Sequence, residues 1–93
     1  MTQPIRVKLD RIRISLAAYA YEFGLELLMQ DHEYDKLALA VEKSKDIPTD
    51  NSLLDNFFKT EFDRSTGMWI HRHPEISKII CLYYKLFPYN KQG

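Results

Sequence analysis

The stretch YEFGLELLMQDHEYDKL, residues 21–37, gathers the side chains best suited to chemistry in this sequence. Asp31, Glu33, Tyr34 and Asp35 fall within five positions where a helix begins, and Tyr21 and Glu22 stand near the end of the preceding helical pattern. Carboxylates there can cap a helix, because they accept from free backbone N–H groups and suit the positive end of the dipole. They can equally form a small polar site held between two helices, with the tyrosines beside it. Asp31 occupies the expected N-cap position, so capping and ligand binding compete for the same side chain.

Four helices must position these groups. Ile5, Leu9, Ile12, Leu16, Tyr19 and Phe23 recur at steps of four and three, which predicts a first helix over 5–23 with that stripe inward. Val7, Ile14, Ala17, Ala18 and Tyr21 widen its apolar surface. Thr2 ahead of Pro4 marks the start and Gly24 the stop. A second helix is expected over 31–45, with Leu37, Ala40, Val41 and Ser44 inward, and Ile47-Pro48 ends the pattern. A third, over 51–62, turns Leu54, Phe57, Phe58 and Phe62 inward. The fourth, over 74–87, opens at Pro74, buries Ile76, Ile79, Ile80, Tyr83 and Phe87, and stops at Pro88. Only residues 65–72 lack helical periodicity. The expected fold is an all-α, single-domain bundle of about four helices spanning residues 1–93.

Composition narrows the function classes. Among 93 residues, 13 basic and 13 acidic side chains leave a formal net charge of zero, which argues against gripping nucleic acid unaided. No apolar run approaches the ~20 residues needed to span a bilayer. The first residues carry no apolar export segment, and a single cysteine fits a reducing compartment, so a cytoplasmic location is expected. Cys81 lies among apolar neighbours and reads as a small buried hydrophobe. His71 and His73, with His32 and Asp63 elsewhere, supply too few fixed ligands for zinc; no metal is expected. His73 reads as a cap of the last helix and His71 as a surface residue. Arg6, Lys8, Arg11 and Arg13 read as the solvated face of the first helix. Tyr83, Tyr84, Phe87 and Tyr89 exceed what one small core needs, which points to an interface for a protein partner.

Residues 18–37, AYAYEFGLELLMQDHEYDKL, resemble the N-terminal Ia domain of NAD-dependent bacterial DNA ligases. That family carries a tyrosine–histidine pair on one helix, a short loop, then D-x-x-Y-D at the next helix start. Tyr21 falls on the family tyrosine, and Asp31, Tyr34 and Asp35 fall on D-x-x-Y-D; Tyr19, Glu33 and Leu37 match residue types common there. The resemblance implies recognition of the nicotinamide mononucleotide (NMN) half of NAD, with tyrosines on the nicotinamide ring and acids on the amide and ribose hydroxyls. Glu22 stands where the family has histidine, and the loop lacks the usual proline. The adenylating K-x-D-G motif is absent, as are zinc-finger cysteines and helix-hairpin-helix glycines. The expectation is therefore a stand-alone, non-catalytic module binding NAD, NMN or a related nucleotide through Tyr21, Glu22, Asp31, Tyr34 and Asp35. The alternative is a small phage-type interaction module, or an inhibitor of a host factor, on the same scaffold.

Overall fold

A computed structural model describes residues 3–88. It contains α1 (Pro4–Glu22), α2 (Asp31–Lys43), α3 (Ser52–Thr60), a short 3-10 helix (Met68–Arg72) and α4 (Ile76–Leu86), with no strand among the described residues. The all-α bundle expected from periodicity is what forms. Thr2 and Tyr89 lie outside the described residues.

Local chemistry sets the boundaries. Pro4 sits in the first turn of α1, where its missing N–H costs nothing. At the other end Gly24 adopts a left-handed φ of 64°. Its N–H donates to the Tyr21 carbonyl at 3.4 Å, and Leu25 N–H donates to the Ala20 carbonyl at 2.8 Å, a Schellman closure. The N-cap of α2 is Gln30 rather than Asp31, and Glu33 reaches back to accept from the Gln30 backbone N–H at 3.2 Å. Asn51 caps α3 by accepting from Leu54 N–H at 3.1 Å, and its amide donates to Glu75 at 3.1 Å beside the start of α4. Helix α4 begins two residues after Pro74. His73 does act at its start, with Nδ1 accepting from Glu75 N–H at 3.0 Å.

Helix α1 is the centre, packing closely against α2, α4 and the 3-10 helix. Its inward face keeps Leu16 and Tyr19 of the expected stripe and differs in the rest. Ile5, Leu9, Ile12 and Phe23 are exposed, while Val7, Asp10, Arg11, Ile14, Ser15, Ala17 and Ala18 are buried. Two apolar registers compete on this helix. The one containing small residues wins, because alanines let neighbouring backbones come close. Next to it, a Cβ added to Gly67 would touch Ala18 Cβ at 3.5 Å. Helix α3 instead joins through long side chains. Phe57 and Phe58 meet Trp69 and His73 ring to ring, with centroids 5.2–6.1 Å apart.

Arg11 is therefore not on a solvated face. Its side chain is 4% exposed, Nη1 bonds Asp55 at 2.6 Å, and the guanidinium lies over the Phe58 ring at 5.3 Å. Asp55 also accepts from Thr49 N–H and Oγ1, at 2.8 and 2.6 Å. Burial pushes this carboxyl up, but the Thr49 bonds and the guanidinium outweigh it and hold it below the usual range. Two further expectations fail. Cys81 is exposed because it lies on the outward side of α4, away from Ile79 and Tyr83. Ala40 is exposed on α2, whereas Leu37, Val41 and Ser44 are buried as expected. Among the late aromatics, Tyr83 belongs to the core: it meets Tyr19 edge-on at 5.6 Å and stacks on Phe87 at 5.0 Å. That removes it from any interface, and Tyr84 and Phe87 are half-buried.

Candidate functional site

The Schellman turn and the Gln30 cap together fix the segment between α1 and α2. Tyr83 of α4 pins its middle, donating from its hydroxyl to the Glu26 carbonyl at 2.9 Å. The turn end of α1 and the first turn of α2 then border one open cavity of about 300 Å³. Tyr21, Asp31, Tyr34 and Asp35 all line it. Its floor and far wall come from Leu27, Leu28 and Met29 in the connecting loop and from Arg64 to Gly67 before the 3-10 helix.

Each side chain contributes differently. Tyr21 is 62% exposed, so one ring face is open to a flat partner. Asp31 is the first residue of α2 and is relieved of capping by Gln30, which leaves its carboxylate for a ligand. Asp35, one turn on, is also exposed. Tyr34 presents its ring to the cavity, whereas its hydroxyl is buried without a hydrogen-bond partner. Burial pushes that phenol up to about 12, opposed by the nearby Trp69 indole N–H. The two groups are neighbours, yet neither makes a hydrogen bond of sound geometry, and the Trp69 Nε1 is orphaned as well.

Glu22 does not join this set. It turns towards the 3-10 helix, where Oε1 lies 3.1 Å from His71 Nε2. His71 is exposed, as expected, and also meets the Phe23 ring at 5.3 Å. Among the described residues no group of three or more His, Cys, Asp and Glu side chains could hold a metal ion.

Arg64 on the cavity wall escaped the sequence reading. Its Nε lies 3.3 Å from Glu42 Oε1, and its side chain is 52% exposed. Nothing local to positions 63–67 marks it, since only the fold carries this loop to the start of α2. No protein-family model, curated protein or solved structure matches this chain.

Proposed function

We propose that the protein is a non-catalytic binding module for NMN, or the NMN half of NAD, held in the cavity between α1 and α2. The observation carrying this reading is that Tyr21, Asp31, Tyr34 and Asp35, spread over fifteen positions, share one cavity. Tyr21 stacks on the cationic nicotinamide ring, Tyr34 offers a second ring surface, and Asp31 and Asp35 accept from the ribose hydroxyls. Arg64 leaves Glu42 to meet the phosphate. Stacking of ~0.5–2 kcal/mol and charge-assisted hydrogen bonds of ~1.5–3 kcal/mol each suffice for micromolar to millimolar affinity after the cost of association, since ~1 mM needs only ~4 kcal/mol.

Calorimetric titration tests it. Asp35→Ala is expected to weaken NMN binding about tenfold, ~1.4 kcal/mol, with helix content intact. Asp31→Ala should do the same, because Asp31 is not the cap and its loss costs stability only ~0.3–1 kcal/mol through the helix dipole. Arg64→Ala should weaken NMN more than nicotinamide riboside, which lacks the phosphate. Wild-type protein giving neither heat nor a melting shift with millimolar NMN or NAD overturns the reading.

A protein-interaction module is the second reading, and a different surface favours it. Ile5, Leu9 and Ile12 stand exposed at helical spacing on α1, flanked by Arg6 and Arg13. That pattern suits an acidic amphipathic helix. Ile5→Glu with Leu9→Glu would abolish such docking and leave NMN binding unchanged.

A further inference from the structure

A second cavity, of about 240 Å³, opens at the other half of α1. Its wall is apolar, made by Ile12, Leu54, Phe58, Ile79 and Leu82. For scale, a dry engineered cavity of ~150 Å³ admits benzene. The space therefore fits a single ring or a short branched chain.

Its charged lining is lopsided. Lys8, Arg11 and Lys78 contribute cations, against one carboxylate, Glu75. Asp50 and Asp55, the ion partners of Lys8 and Arg11, stand outside the lining. Glu75 is already engaged: Asn51 donates to it at 3.1 Å and Lys78 Nζ lies at 3.5 Å. The Lys8 and Lys78 side chains are 44% and 77% exposed, so each can leave its carboxylate, Asp50 or Glu75, for a newcomer at the mouth.

The inner end holds one donor that the protein does not use. Arg11 is 97% buried, and its Nη1 and Nη2 serve Asp55 and the Ile47 carbonyl, so its guanidinium is already spoken for. His73, also lining the cavity, accepts at Nδ1 from Glu75 N–H. That bond fixes the tautomer and places the ring proton on Nε2, which has no partner among the described residues. Burial lowers the imidazole's proton affinity, so the ring is a neutral donor. Apolar walls and ammonium groups at the rim describe the complement of a small molecule with an apolar body and an anionic head.

We infer that this cavity is a binding site for a small carboxylic acid with an apolar body, such as an aromatic monocarboxylate. The ring fills the space between Phe58 and Leu82. Its carboxylate takes the Lys8 and Lys78 ammonium groups at the mouth. This site is separate from the NMN cavity, and each can fail without the other.

The probes are benzoate, benzyl alcohol and benzylamine, which share a ring and differ in charge. They are titrated at millimolar concentration into isotopically labelled full-length protein and followed by NMR. Benzoate is expected to shift the Ile12, Ile79, Leu82 and His73 signals, with the alcohol weaker and the amine weakest. Lys8→Met and Lys78→Met, on exposed side chains that folding does not need, should each weaken benzoate about threefold to fivefold. Leu82→Trp should fill the space and abolish binding; if that variant does not fold, the two lysine variants still decide. Equal binding of all three probes would reduce the site to an apolar hole and overturn the proposal. So would benzoate shifts confined to other residues, or no shifts at all. Loss of benzoate binding in Asp35→Ala would mean that the two cavities are not independent, which also overturns it.

Discussion

The two halves of α1 serve opposite electrostatics. Lys8, Arg11, Ile12 and Ser15 border a cavity whose ionised lining is mostly cationic. Ala17 and Tyr21, two turns on, border one that contains Asp31 and Asp35. With zero formal net charge for the whole chain, the sum hides this division. Neutral composition excludes a broad single-sign surface, but it says nothing about local fields, which follow from where each charge is paired and buried. The first cavity is bordered by the Arg11 of a buried ion pair, the second by capped helix ends. They should therefore break in different ways.

The largest effect is expected from Asp55→Ala. It leaves the Arg11 guanidinium buried without its carboxylate and removes both Thr49 bonds, costing about 3 kcal/mol of unfolding free energy by urea titration. Benzoate binding should fall with it, while NMN binding, measured where the variant is still folded, stays unchanged. Parallel loss of both ligands would show that the two ends are one cooperative unit.

Acidification should separate them next. The folded chain keeps His73 neutral, while the unfolded chain protonates it near its ordinary value of ~6.5. Protons thus bind preferentially to the unfolded state, and stability is full above about pH 6.5 and declines below it. Asp55 and Glu75, held below the usual carboxylate range, add a second decline at lower pH, as each is protonated only in more acidic solution when folded. His73→Gln should remove the upper decline and leave the lower one. An unchanged profile in that variant would mean that His73 is not the group that titrates.

Smaller still is Tyr34→Phe at the acidic cavity. Deleting a buried hydroxyl that makes no hydrogen bond should change stability by less than ~1 kcal/mol, or raise it. A larger loss would establish a bond to the Trp69 indole. The smallest effect is expected at Cys81, whose thiol is exposed on α4. Alkylation of native protein should go to completion and move the melting temperature by no more than a typical surface change, within ~0.5 kcal/mol. Slow alkylation would place that face of α4 in a contact.

The helices were legible because their ends are punctuated. Pro4, Gly24, Pro48, Pro74 and Pro88 each forbid or favour a specific backbone state, so the limits fell within a few residues. The buried face of α1 was legible only in part. Leu16, Tyr19, Val7, Ile14, Ala17 and Ala18 are buried, but large aliphatic residues outweigh alanine in any hydrophobic pattern, which put Ile5, Leu9 and Ile12 inward too. The fold spends Ala17 and Ala18 on close approach and leaves Ile5 and Leu9 outside. Arg11 and Asp10 add polar groups to the inward face, and a pattern search assigns such groups to solvent. Of the candidate site, the residues on two consecutive helices could be read together, since Tyr21 and Asp31 are joined by a short loop. Arg64 and the entire benzoate-sized cavity could not, because their walls are assembled from segments far apart in the chain.

One hydrogen bond links the order of synthesis to the cavity between α1 and α2. Tyr83 holds the Glu26 carbonyl across 57 positions of chain, so the loop carrying Leu27, Leu28 and Met29 is tied only at its two ends, by the Gly24 turn and the Gln30 cap, until α4 has been made and docked. A nascent chain that has emerged only as far as α2 owns every aromatic and acidic group of the site, yet lacks the tether that shapes its floor. Binding competence should thus arrive late and all at once during translation, and a ribosome-stalled chain ending before α4 should capture no nucleotide.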